Sequence, residues 1–239
     1  MKLEVELLQK DYENVLSGYA VMLTFRLHNL CVKANPVILL PVVVNVHGME
    51  KTIEEVGKVG LRSDDQMEIY PIHEDLIVHI GQGVAEIHPE LKQSVEAIPL
   101  NAPEQEGSRE PEQGQNEFKY LRLTVPEVDK NRRDLLLKGV DAYHDEANTQ
   151  MDAAKVKYTA LLQKEMFGQS KDEMQEAQEL FDNTYDQHTG MTDKAVADKQ
   201  QEIEEAYQRY LEKKEEEQNK QGQTDGDTDV ISRLKMTEE

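Results

Sequence analysis

The sequence predicts an α+β fold: a three-helix bundle with a small α/β domain inserted between its first and second helices. Three observations predict it. Apolar and small residues at Leu136, Val140, Tyr143, Ala147, Met151, Ala154, Tyr158, Leu162 and Met166 recur at steps of three or four. They draw one stripe along a long helix over residues 131–166. Two other segments, residues 3–34 and 171–218, repeat apolar residues at the same helical spacing and can cover that stripe. The stretch between the first and second of these segments instead holds β-branched runs, prolines and turn residues.

The first helix is read from Val5, Leu8, Tyr12, Val15, Leu16, Tyr19, Met22, Leu23 and Leu27, and ends at Asn35-Pro36, because the residue before a proline is pushed out of the helical region. Residues 42–47 form a β-branched strand closed by Gly48, and residues 51–58 a short helical or irregular link. Strands follow at 60–62 and 66–72, separated by the turn Ser63-Asp64-Asp65. Residues 77–98 carry a helix through Val84, Ile87, Leu91 and Val95 despite Pro89, and the alternating FKYLRLTV at 118–125 returns as a strand. The second helix is a rod of roughly 50 Å. The third carries Met174, Ala177, Phe181, Tyr185, Val196, Ile203, Ala206 and Tyr210; Thr189-Gly190 is expected to interrupt it and Thr192 to cap its resumption. The chain is thus divided into helix one (1–35), the insert (36–124, with an acidic flexible loop at 101–117), helices two and three (125–218) and a disordered acidic tail (219–239).

Composition narrows the function. The 239 residues hold 48 Asp plus Glu against 27 Lys plus Arg, a net charge of −21. That balance excludes a general DNA or RNA binder, which needs a basic face, but leaves room for a local basic strip. The single cysteine, Cys31, forms no intramolecular disulfide and reads as a small buried hydrophobe. The longest apolar run, PVILLPVVV at 36–44, is too short for a membrane span and holds two prolines. The acidic N-terminus is neither a signal nor a transit peptide, and the chain reads as soluble.

No reactive constellation stands out. Histidines at 28, 47, 73, 79, 88, 144 and 188 include no i, i+4 pair and read as ordinary surface or half-buried groups. Gly81-Gln82-Gly83 lacks the third glycine of a dinucleotide loop. Asp225-Gly226-Asp227-Thr228-Asp229 alternates acids like a calcium loop, but Val230 and Met236 stand where its glycine and closing glutamate belong. The expectation is therefore no enzyme, no metal and no cofactor. The selective feature is the set of bases on the long helix, Arg132, Arg133, Lys138, Lys155 and Lys157. Two readings of it stand: solvated helix surface, or a phosphate-contacting strip that an acidic background makes weak and salt-sensitive.

Four segments, in order, resemble the ribosome recycling factor family over nearly the whole chain. Lys33-Ala34-Asn35-Pro36-Val37-Ile38-Leu39-Leu40, followed by VVVNVHG, is similar to the family's Arg-Ala-Ser-Pro-x-Leu-Leu segment and its strand ending in Tyr-Gly. Thr52-Ile53, Leu61-Arg62-Ser63-Asp64 and Met67-Glu68-Ile69 follow its second-domain strands. Leu123-Thr124-Val125-Pro126 with Asn131-Arg132-Arg133-Asp134-Leu135 resembles the family's Pro-x-Leu-Thr-x-Glu-Arg-Arg lead into the second helix. AVADKQQEI at 195–203 resembles the ending of its third helix.

The resemblance implies an L-shaped protein with hinges near residues 34–36 and 124–126. It implies a non-enzymatic factor, a monomer when free, that binds between ribosomal subunits after termination. Such a factor grips large-subunit rRNA and proteins and helps split the ribosome with an elongation factor G-type GTPase. The implied rRNA contacts are Lys33, Arg132, Arg133 and Lys155. Departures bear on that role. The family's Arg-Thr-Gly-Arg aligns with Leu30-Cys31-Val32-Lys33, and its Arg-Asn-x-Arg-Arg with Asp152-Ala153-Ala154-Lys155-Val156, where an arginine has become an acid. Lys lacks the bidentate fork of Arg, and Asp repels phosphate. The lost arginines raise an alternative: the fold repurposed as a structural or assembly component of an organellar ribosome. Divergence points to a mitochondrial or other organellar location, with the bacterial cytoplasm as alternative. A coiled-coil adaptor is the third reading, opposed by the α/β insert.

Overall fold

The computed structural model describes residues 3–99 and 117–235, with side chains over 4–99 and 117–219. In chain order come α1 (Leu3–Asn29), a 3-10 turn (Pro36–Leu39), β1 (Val43–Val46), β2 (Met49–Thr52), α2 (Ile53–Val56), β3 (Gly57–Ser63), β4 (Gln66–Pro71) and α3 (Leu76–Ile87). Then follow β5 (Lys92–Pro99), β6 (Glu117–Thr124), α4 (Lys130–Glu165) and α5 (Lys171–Lys235). Contacts divide the chain into two units: Met1–Leu30 with Glu127–Glu239, and Cys31–Pro126.

In the first unit α1, α4 and α5 pack on one another. The α4 stripe goes inward as its spacing demands: Leu136, Val140, Ala147, Met151, Ala154, Tyr158, Leu162 and Met166 are buried. At one end Tyr12 meets Tyr158 and Phe181 at ring-centroid distances of 5.0 and 5.3 Å. Asp129 caps α4, its side chain accepting from the Arg132 N–H at 2.8 Å. The turn into α5 uses Gly168 at φ +82°, a conformation open to glycine. A reciprocal cap follows, with Ser170 N donating to the Glu173 carboxylate at 3.1 Å and Glu173 N to Ser170 Oγ at 3.2 Å.

Two expectations about this unit change. Helix α5 runs unbroken through Thr189-Gly190. The Thr184 and Thr189 hydroxyls donate to carbonyls one turn back, at 2.8 and 3.1 Å, and Thr192 Oγ1 to Thr189 O, so Thr192 is interior and no cap. Burial of His188, Thr192 and Val196 on the inner face offsets a glycine penalty of about 1 kcal/mol. The helix also continues past Gln218 to Lys235, through the stretch read as a disordered tail. No proline follows Pro126 to stop it.

The second unit has two sheets. Antiparallel β1–β2 turn through His47 (φ 52°) and Gly48 (φ 82°), with Gly48 N donating to Asn45 Oδ1 at 2.9 Å. The other sheet has the order β3-β4-β6-β5, all neighbours antiparallel. Its inner face and α3 enclose a core that includes Val44, Met67, Ile69, Ile80, Leu121 and Leu123. Helix α3 lies close on β1: a Cβ on Gly83 would stand 2.5 Å from the Val43 carbonyl oxygen.

Two boundaries differ from the sequence reading here. Helix α1 ends at Asn29 rather than Ala34, because Cys31 and Ala34 belong to the insert's core and Ala34 N donates to Asp64 O at 2.7 Å. Helix α3 stops at Ile87, and Val95 lies on β5 opposite Leu121 rather than on a helix. Pro89 is the reason, since it disfavours helical geometry at His88. His88 is 2% exposed, with Nε2 2.8 Å from Ile38 O and Nδ1 3.0 Å from Glu90 Oε1. The expected loop at 101–117 lies outside the described residues except for Glu117, which opens β6.

The sheet's other face is polar. Glu68, 8% exposed, accepts from Arg62 at 2.7 Å, Arg122 at 3.2 Å and Tyr70 at 2.5 Å. Tyr70 and Tyr120 stack at 5.2 Å, and Arg122 also donates to Glu96 at 2.5 Å.

Candidate nucleic-acid interface on the long helix

Arg132 and Arg133 stand in the first turn of α4 and Lys155 toward its other end, so the three share one element. Lys33 belongs to the second unit, where it is exposed between the buried Val32 and Ala34. Helical phase separates the α4 bases further: Arg133 and Lys155 turn to the side that meets α5, while Arg132 and Lys157 turn the other way.

Arg133 lies against Glu204 of α5. Its Nε donates to both carboxylate oxygens at 2.9 and 2.8 Å and its Nη2 to Oε1 at 2.5 Å, while the guanidinium sits 5.3 Å from the Tyr207 ring centre. The bond to Glu204 raises the Arg133 pKa, and the same bond holds the Glu204 carboxyl below its usual range. Lys155 Nζ stands 3.1 Å from Asp182 Oδ1 and 4.2 Å from the Tyr185 ring centre. Asp182 is held low by its bond from Gln178 and then by Lys155. The Tyr185 hydroxyl donates to Asp152, and burial together with that carboxylate pushes its pKa up to about 12.

These contacts form a ladder along the seam. Arg133, His144, Asp152 and Lys155 on α4 meet Glu204, Asp193, Tyr185 and Asp182 on α5 by equal and opposite steps. That constant register is what two antiparallel helices require. Reading α4 alone misses the ladder; pairing its bases with acids at matching steps on α5 is the signal that finds it. On the α1 side Arg26 Nη1 bonds Glu146 at 2.5 Å and lies 5.5 Å from the Tyr143 ring centre.

Two of the predicted bases thus face carboxylates of their own chain. The α4 bases exposed to solvent are Lys130, Lys138, Lys157 and Lys164, and of these Lys138 and Lys157 from the predicted set make no ion pair among the described residues. The helix can offer phosphate a few exposed ammonium groups on an acidic background, an attraction that salt screens readily. Among the described residues no group of three or more His, Cys, Asp and Glu side chains is arranged to hold a metal, and no helix is long and apolar enough to cross a membrane.

The model of one protein family, described as ribosome recycling factor, matches residues 26–203. Among solved structures, a solution structure of the ribosome recycling factor aligns with a TM-score of 0.64 and 18% identity, over 86% of this chain and 100% of that one. A second aligns with a TM-score of 0.53 and 18% identity, over 83% of this chain and 98% of that one. It comes from models of the T. thermophilus ribosome recycling factor and the E. coli elongation factor G bound to the E. coli post-termination complex. None of the curated proteins matches.

Proposed function

The chain belongs to the ribosome recycling factor family, and from that premise we propose that it binds the ribosome after termination and promotes subunit splitting with an elongation factor G-type GTPase. It does so without chemistry of its own, as a monomer when free, by contacting large-subunit rRNA and proteins. The carrying observation is the family match over residues 26–203, which takes in the whole insert, all of α4 and α5 as far as Ile203. The post-termination complex named for a solved relative supports the same reading. Lys33, Arg132, Arg133 and Lys155 are the proposed rRNA contacts. Arg133 and Lys155 would have to exchange Glu204 and Asp182 for phosphate, so the grip should be shallow and salt-sensitive.

One observation favours a second reading. Asp152 stands where the resemblance places an arginine, and the neighbouring Lys155 is paired with Asp182 within the bundle. A fold so altered suits a structural or assembly component of an organellar ribosome, contacting basic proteins more than RNA. The proposed location is mitochondrial or otherwise organellar, with a bacterial cytoplasm as alternative.

Sucrose-gradient sedimentation of lysate at low and high salt, probed for this chain, separates the readings. Release from ribosomes at high salt supports the transient factor, and subunit splitting by purified protein with the GTPase then tests it directly. Persistence in one large particle at high salt supports the built-in component. Absence from every ribosomal fraction refutes both.

A further inference from the structure

Helix α1 carries two apolar faces, and the bundle uses one. The inner face buries Val5, Tyr12, Leu16, Leu23 and Leu27. On the opposite side Val21, Met22 and Phe25 are 65%, 52% and 37% exposed. With Gly18 they follow the i, i+3, i+4, i+7 spacing of one continuous strip. Nothing lies within 4 Å of a Cβ built on Gly18, so the strip has an open notch. It continues across a groove of about 350 Å³ to Met191 of α5, itself 56% exposed. The groove's lining includes His188, 8% exposed, whose buried Nδ1 has no hydrogen-bond partner. Large apolar side chains scattered singly on a surface are ordinary; a contiguous strip over a groove marks a binding face.

Charge selects the occupant. Glu4 and Asp11 stand exposed on the same outward side of α1, with Lys10 at one border and Arg26, already paired with Glu146, at the other. On α5 Asp198 is exposed on the same helical face as Met191, with Lys194 between them. With Arg26 paired, acids outnumber bases around the strip, and the whole chain carries −21. Phosphate would be repelled, and a second copy would set acids against acids. We propose that this face docks a basic amphipathic helix of a partner protein, with apolar anchors seated over Gly18 and between Phe25 and Met191. The proposal stands apart from the ribosomal reading, since it rests on α1 and α5 alone.

The test titrates the full chain with two labelled helical peptides that share leucines at i, i+3, i+4 and i+7. Their remaining surface is lysine-rich in one and glutamate-rich in the other, and binding is read by fluorescence anisotropy. The lysine peptide should bind in the micromolar range and the glutamate peptide at least about tenfold more weakly. Val21→Ser with Phe25→Ser should weaken the lysine peptide by about tenfold or more while the far-ultraviolet spectrum stays unchanged. Asp11→Lys, which leaves the apolar strip intact, should weaken it too. Absence of lysine-peptide binding, or equal binding to the double variant, overturns the proposal. So does displacement of the peptide by an RNA oligonucleotide. A concentration-dependent dimer abolished by the double variant gives the face to a second copy and also overturns it.

Discussion

Replacing Glu68 by Gln removes a charge from the insert and little else. The glutamate is 8% exposed and accepts from Arg62, Arg122 and Tyr70. Burial pushes its pKa up, but the bonds from Tyr70, Arg62 and Arg122 outweigh that and hold it below its ordinary 4.5. Tyr70, pushed up to about 12 chiefly by the bond to Glu68, stays protonated throughout the working range. Gln keeps the shape and one acceptor oxygen, but leaves the Arg122 guanidinium, whose side chain is 16% exposed, with Glu96 as its remaining carboxylate. Breaking a buried pair costs about 3–5 kcal/mol. Arg62 is half exposed and rehydrates, which brings the expected loss to about 2 kcal/mol. For a domain of this size that is a fall in Tm of about 10 °C.

Amide exchange in β3, β4 and β6 during urea unfolding reads the change locally. The sign with pH follows from the lowered folded pKa: the stabilisation is complete above the unfolded value near 4.5 and disappears as pH falls through the folded value. Wild type and Glu68→Gln should therefore differ at neutral pH and converge on acidification below about 4.5. A difference under about 0.5 kcal/mol at neutral pH, or one that persists unchanged into acid, refutes the reasoning.

Gly190→Ala should stabilise the bundle by up to about 1 kcal/mol, since α5 is continuous there and nothing lies within 4 Å of the added Cβ; a lower Tm would mean that the helix needs the glycine. Gly83→Ala should destabilise the insert by about 2 kcal/mol in the same melts, because the Cβ would press on the Val43 carbonyl oxygen, a backbone atom with little room to yield; an unchanged melt counts against that close approach. Lys155→Asp and Asp182→Lys should each lower bundle stability by facing like charges, and together restore most of it. Ribosome association should follow the sign at position 155 alone; if the swapped double variant associates like wild type, Lys155 is no phosphate contact.

The bundle was legible because burial leaves a period. Residues from Leu136 to Met166 repeat at helical steps, and all of them but the half-buried Tyr143 are buried. The β-branched run before Gly48 marked β1 by composition instead, and the folded strand buries alternate residues, Val44 and Val46. Boundaries were less legible, because they are settled by partners remote in sequence. Residues 30–34 have helical composition, yet Ala34 N bonds Asp64 O, and nothing near Ala34 announces that carbonyl. Val95 fits a helical step from Leu91 and a strand position opposite Leu121 equally well, and Pro89 decides between them. Gly190 read as a break because propensity was weighed without the buried residues around it.

Charges were the least legible. A base at Arg133 has the same local sequence whether it meets phosphate or Glu204, since the difference is a register between two helices. Register also changes what the acid at position 152 means. Taken alone, an Asp where the family resemblance places Arg is a lost phosphate contact. In the folded chain it accepts from Tyr185, whose ring lies under Lys155, which in turn pairs with Asp182. Four side chains therefore share one contact between α4 and α5, and the acid is one of its parts. An arginine at 152 would lose the tyrosine bond and add a cation beside Lys155. The change at 152 and the anchoring of Lys155 thus go together. The bundle gains an interhelical contact on the face where the family resemblance places its grip on RNA.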